Sequence, residues 1–200
     1  MARPLRIEYE GAFYHVTSRG NERKRIFLAK ADYHQFKRYL KGAQEKYGYH
    51  LHSYVLMSNH YHLIIETPER NLSKVMQYIN GSYTNFFNRR TGRSGHLFQG
   101  RYKAILVDVD SYLLELSRYI HLNPVRAGIV EQPRGYPHSS YKSFISKQRE
   151  EIITRDVIWG MISKDKRYGA MRYRSFVERA LEEKLENPLE GAYAGLVLGG

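Results

Sequence analysis

The chain contains no cysteine. Disulfide staples and thiolate metal sites are therefore excluded. No apolar run approaches the roughly 20 residues of a membrane span, and the charged, Tyr-containing start does not read as a secretory signal. A soluble intracellular protein without a membrane partner is expected. No segment repeats, which excludes a solenoid. Acid is the scarce charge: 20 Asp and Glu stand against 32 Lys and Arg, a formal net charge of +12. That imbalance points to a polyanionic partner.

Apolar material is sufficient for a core, at 42% of 200 residues, and the length suits one domain with an appendage. Eighteen tyrosines interleave with the basic charge. Such a surface can hold phosphates and stack exposed bases.

Residues 54–66, Tyr54-Val55-Leu56-Met57-Ser58-Asn59-His60-Tyr61-His62-Leu63-Ile64-Ile65-Glu66, read as two strands joined by a tight Ser-Asn turn. Side chains two apart on a strand share a face. His60 and His62 therefore project together, and Tyr61 projects away. Two adjacent imidazoles can grip a divalent cation if a third ligand arrives from elsewhere.

The flanking elements can be placed from their patterns. Residues 12–19 are aromatic and β-branched, as a first strand requires. Arg23, Lys24 and Arg25 follow in a basic loop. The spacing of Tyr33, Phe36, Tyr39, Leu40 and Ala43 predicts a helix over 31–46, stopped by Gly48. Strands are predicted over 49–57 and 60–66. A second helix, capped by Asn71 or Ser73, buries Leu72, Val75, Met76, Ile79, Tyr83, Phe86 and Phe87. Its basic end, Arg89 and Arg90, leads into a Gly-rich segment through Lys103 that lacks any acid. Residues 104–109 predict a further strand. Asp110 or Ser111 should cap a third helix ending at Asn123, because a residue before proline is pushed out of the α region by Pro124. Tyr112, Tyr119 and Asn123 share one stripe of it.

The order strand, helix, strand, strand, helix, strand matches a ferredoxin-like βαββαβ sandwich with an antiparallel sheet, an α+β fold. An added helix and a partly helical extension follow. The first and third strands should be central, with His60 and His62 on one of them. We expect a catalytic domain over 1–145 and an extension over 146–200, with a short amphipathic helix at 172–186.

Ser58-Asn59-His60-Tyr61-His62-Leu63 resembles the HUH motif, two histidines around one residue. Arg118-Tyr119-Ile120-His121-Leu122-Asn123-Pro124-Val125-Arg126-Ala127-Gly128 resembles the tyrosine helix of single-tyrosine HUH transposases, in particular the REP-associated tyrosine transposases. Residues 95–102 are similar to that group as well. The resemblance covers about residues 4–141. It implies Mg²⁺ or Mn²⁺ held by His60, His62 and a polar ligand, for which Asn123 stands where relatives often carry Gln. It implies Tyr119 as the nucleophile that attacks single-stranded DNA beside a palindromic hairpin, leaving a 5′-phosphotyrosine and a free 3′-OH. Tyr112 shares the stripe and is the rival. A cytoplasmic, nucleoid-associated protein follows, working as a monomer or homodimer.

A free tyrosine has a pKa of about 10, so forming phenolate at pH 7 costs about 4 kcal/mol. Attack therefore needs a proton acceptor as it proceeds. Candidate phosphate contacts are Arg19, Arg23, Lys24, Arg25, Arg89, Arg90, Arg93, Arg101, Lys103 and Arg126. His96 and His121 read as DNA contacts or surface residues. The alternatives are a non-catalytic binder of structured DNA, and a replication initiator or relaxase of the wider HUH class.

Overall fold

Two strands meet at Ser58-Asn59 because the turn is tied down from outside the hairpin. In the computed structural model, which describes residues 7–147, 149–181 and 197–198, the Ser58 carbonyl accepts from the Ile26 and Phe27 amides at 2.8 and 3.0 Å. The Asn59 carbonyl accepts from the Gly20 amide at 2.8 Å. The hairpin strands are β2 (His50–Met57) and β3 (His60–Thr67). β1 (Ala12–Arg19) pairs antiparallel with β3 and with β4 (Lys103–Val107). The order is β2-β3-β1-β4, with β5 (Val197–Leu198) added in parallel at the β4 edge. This is the expected α+β sandwich, with β1 and β3 central.

Both faces of the sheet are covered. α1 (Lys30–Tyr47) and α2 (Leu72–Thr91) pack on the face carrying Tyr14, Val16, Tyr61 and Leu63. Tyr61 donates to Asn80 Oδ1 on α2 at 2.7 Å, and its ring lies 5.0 Å from Phe36 on α1. Leu72, Val75, Met76, Ile79, Tyr83 and Phe87 are buried as their spacing requires, whereas Phe86 is only half-buried. Asn71 flanks α2 but makes no side-chain cap bond; its amide donates to the Tyr47 carbonyl at 3.0 Å instead. Gly48 and Gly92 end the two helices in the left-handed region, at φ 65° each.

α3 (Val109–Arg126) crosses the opposite face of the sheet. Two expectations about it are corrected. Its N-cap is Asp108, whose carboxylate accepts from the Asp110 amide at 3.1 Å, so Val109 opens the helix instead of closing β4. Its end is Arg126, because Pro124 falls in the last turn and is tolerated there. Proline removes one ladder bond and disfavours, without forbidding, a helical residue before it. The helix closes beyond it through Ala127 N–H to Asn123 O and Ile129 N–H to Pro124 O.

A third correction concerns His121. It is fully buried, not a surface residue. Its Nε2 meets Ser140 and Ser53 hydroxyls at 2.8 and 3.0 Å, and its Nδ1 meets the Tyr173 hydroxyl at 2.7 Å. Tyr173 lies on α6 (Gly169–Arg179), which follows α4 (Tyr141–Ile145) and α5 (Asp156–Ile162). The C-terminal helix thus starts a turn earlier than expected, and its predicted stretch 182–186 lies outside the described residues. Residues 138–140 and 154 also cover the β2 edge, where Leu56, Tyr54 and Leu51 exchange backbone bonds with His138, Ser140 and Thr154. Free edge groups would otherwise invite pairing with another chain.

The start of α1 hangs on one buried carboxylate. Asp32 Oδ2 accepts from the Leu28 and Ala29 amides at 2.7 and 2.9 Å and from Arg90 Nη2 at 2.8 Å. We expect Asp32→Ala to destabilise the protein by about 2–3 kcal/mol, because it leaves backbone donors and an arginine without their acceptor. Urea denaturation measures it; a loss below ~0.5 kcal/mol would contradict this role.

Candidate active site

His60 and His62 sit on central strand β3 and line a cleft of about 400 Å³. Each ring has its Nδ1 occupied. His60 Nδ1 lies 2.7 Å from Asn59 Oδ1, an acceptor, so this nitrogen carries the proton. His62 Nδ1 lies 2.9 Å from Nε2 of His15 on β1. The remaining nitrogen of each ring is Nε2, the atom a metal would take. Burial is the main cause that lowers the pKa of both imidazoles. For His62, His15 and His60 add to it. Both rings are therefore neutral at neutral pH, as ligation demands.

Tyr119 reaches this pair from the same chain. Its ring centroid is 6.0 Å from that of His62, edge-on at 77°. Asn123, one turn further along α3, lies close enough to both side chains to push the His60 pKa up and the Tyr119 pKa down. Burial raises the Tyr119 pKa, and Arg126 and Asn123 oppose the rise. The Arg126 guanidinium stands 5.1 Å from the centre of the Tyr119 ring. Tyr112 lies seven residues earlier, about 10 Å back along the helix axis, where Glu115 adds to the burial that raises its pKa.

Among the described residues, no three His, Asp or Glu side chains converge on one point. A cation here would need the amide oxygen of Asn123 as its third donor. Two imidazole nitrogens and one amide oxygen form a neutral donor set that a divalent ion such as Mn²⁺ can take, with open positions left for phosphate and water.

The cleft is basic. Arg19, Arg23, Arg101 and Lys103 line it beside the histidines, with Thr17, Ser18, Asn59 and Gln99. Arg19 Nη2 and Nε donate to Gln99 Oε1 at 2.8 and 3.2 Å, while the Gln99 amide donates to the Arg19 carbonyl at 2.8 Å. Arg23 is held at φ 59°, a left-handed conformation that costs a non-glycine residue about 1–2 kcal/mol.

Residues 8–123 match the family profile described as IS200-like transposases. The chain belongs to this transposase family. A protein of Haemophilus influenzae, provisionally named a REP-associated tyrosine transposase, is 26% identical over 163 residues, covering 76% of this chain and 89% of its own. A REP-associated tyrosine transposase solved bound to a REP hairpin shares the fold, with TM-score 0.63, 19% identity, and coverage of 77% of this chain and 91% of that one. The resemblance drawn from the two motifs is thus borne out.

The remaining basic residues of this transposase lie elsewhere. Lys24 pairs with Glu22 at 2.7 Å and Arg90 with Asp32. Arg93 packs over Phe87, Arg25 lies near Tyr33, and Arg89 sits in the last turn of α2. His96 lines a second groove of about 550 Å³ with Gln77, Asn80, Thr84 and Asn85 over a floor of Met76 and Phe98. Arg101 belongs to both cavities. Sequence reasoning missed Gln99 and His15. His15 lies diagonally from His62, whose direct partner is Thr17, and only the β1–β3 register reveals that.

The buried histidines make stability depend on pH. Burial pulls His15 and His121 down to about 3 and His62 well below its ordinary value. The unfolded chain takes up these protons near 6.5 and the native chain does not, so stability falls as pH drops below about 6.5. Each histidine contributes about 1.4 kcal/mol per pH unit in that window. Urea midpoints between pH 7.5 and 5 should therefore fall steeply, and a flat profile would refute the buried neutral state.

Proposed function

We propose that the chain is a metal-dependent transesterase that cleaves and rejoins single-stranded DNA beside REP-like palindromic hairpins. Tyr119 attacks the scissile phosphate. The P–O3′ bond breaks, Tyr119 Oη becomes bonded to phosphorus as a 5′-phosphotyrosine, and the phenolic proton passes, directly or through water, to the leaving 3′-oxygen, which becomes the free 3′-OH. Return attack by a 3′-OH rejoins a strand without an outside energy source. The observation that carries this reading is the Tyr119 ring set 6.0 Å from that of His62 within one chain, with Asn123 beside Tyr119 and His60.

His60, His62 and Asn123 would hold Mg²⁺ or Mn²⁺. The bound cation would withdraw charge from the phosphoryl oxygens and stabilise the leaving 3′-oxygen. The protein's own groups do the rest. Arg126 over the Tyr119 ring favours developing phenolate charge. Arg19, Arg23, Arg101 and Lys103 hold the phosphates that flank the reacting one, which sets register without reading sequence. The amide-lined groove beyond Arg101 suits unpaired bases. The hairpin partner is drawn from the solved relative, which was bound to a REP hairpin. The contact between Tyr119 and His62 of its own chain supports a site built in cis, with a monomer as the working unit. Such a protein would act at the nucleoid, in the cytoplasm.

Incubation with a labelled hairpin-bearing single strand and Mn²⁺ should give a covalent adduct. Tyr119→Phe should abolish it and Tyr112→Phe should keep it; an adduct undiminished in Tyr119→Phe would eliminate the nucleophile assignment. Mixing Tyr119→Phe with His62→Ala chains should restore no adduct, whereas restoration would show a tyrosine serving its neighbour. Tight hairpin binding with no cleavage under any divalent ion would favour the non-catalytic alternative. Arg101→Ala should weaken binding and flatten the salt dependence, log K against log salt, by about 0.7 per lost phosphate contact. An unchanged slope would place Arg101 off the DNA.

A further inference from the structure

We propose that His15 is a positioning residue that sets the tautomer of His62, and so decides whether His62 can ligate a cation. The inference rests on the metal reading above. His15 is 1% exposed, on central strand β1 behind the cleft. Its Nε2 stands 2.9 Å from His62 Nδ1, and the two rings lie within 10° of parallel. It does not itself line the cleft and meets it only through His62, so a direct chemical role is not what keeps a polar ring buried there.

One hydrogen lies between those two nitrogens, and it has two arrangements. In the first, His62 Nδ1–H donates to His15 Nε2. His62 then presents the lone pair of Nε2 to the cleft, and His15 carries its own proton on Nδ1. In the second, His15 Nε2–H donates to His62 Nδ1. His62 then carries its proton on Nε2 and cannot ligate.

The structure biases the choice. His15 Nδ1 is buried and has no hydrogen-bond partner among the described residues. The first arrangement leaves that atom as an unpaired buried N–H, whereas the second leaves only an unpaired acceptor. A buried donor without a partner is the costlier of the two. The metal-free site therefore rests in the second arrangement, and a cation draws it into the first. In that change the His15 Nε2 proton moves to His62 Nδ1, His62 releases its Nε2 proton, and His15 Nδ1 takes one up. Two protons are held before and after. His15 thus acts as the partner behind a ligand that fixes ring orientation, and as a neutral one it makes ligation conditional.

The test uses full-length protein without DNA. Mn²⁺ is titrated by electron paramagnetic resonance into the wild type, His15→Phe, His15→Gln and His62→Ala. His15→Phe should bind Mn²⁺ roughly 10–100-fold more weakly. His15→Gln, whose amide oxygen can accept from His62, should recover most of that loss. A wild-type measurement guards against a misfolded variant: long-range ¹H–¹⁵N spectra should show the His62 proton on Nε2 without metal and on Nδ1 with Mg²⁺. If His62→Ala loses Mn²⁺ while His15→Phe binds like the wild type, or if the His62 proton sits on Nδ1 both without and with metal, the role of His15 is overturned and the metal site stands; a proton that stays on Nε2 with metal present overturns the metal reading itself. If His62→Ala binds like the wild type, the metal reading falls and the inference with it.

Discussion

Everything at this site depends on α3 being pressed against the second face of the sheet. A ferredoxin-like sandwich covers one face with two helices and leaves the other for a partner. Here the partner is internal. Leu113, Leu116 and Ile120 supply the apolar contact, and the buried polar knot of His121, Ser53, Ser140, Ser117 and Tyr173 supplies the register. A buried polar group finds few positions in which its bonds are satisfied. An apolar helix could slide by a turn; one pinned through His121 cannot do so without orphaning it. Tyr119 is two residues from that pin, and its approach to His62 follows.

The same packing sets the electrostatics. Closing α3 over β3 withdraws His60 and His62 from water, and loss of solvation keeps them neutral. It also raises the Tyr119 pKa, which keeps that side chain a phenol. One burial event thus keeps the two imidazoles uncharged and the tyrosine protonated. Positive charge accumulates at the open end of the cleft, where Gln99 and the strained loop at Arg23 hold arginines in place. Basic residues farther away have structural partners instead, as Arg90 has in Asp32.

The C-terminal helices are joined to the sandwich by more than chain continuity. Tyr173 bonds Ser117 and His121 on α3, and Tyr54 on β2 donates to Glu150. Residues 138–140 and 154 complete the exposed edge of β2. These contacts brace α3, which carries Tyr119, and β2, which pairs with the histidine strand β3.

Local patterns by themselves determined the strands, the first two helices, the βαββαβ order and the shared direction of His60 and His62. Each follows from a period of two or 3.6 residues, or from a glycine in the left-handed region, and these act within a few positions. The two motifs also marked Tyr119 and Asn123. Tertiary structure alone decided the rest. Whether Tyr119 serves its own histidines depends on how α3 lands on the sheet, a contact nearly 60 residues distant that no local period encodes. The burial of His121 depends on Tyr173, 52 residues away. The start of α3 depended on Asp108 out-competing the capping residues after it. His15 stands behind His62 because antiparallel register brings a diagonal neighbour across two strands. Sequence can show which side chains share a face; only the packed chain shows which of them touch.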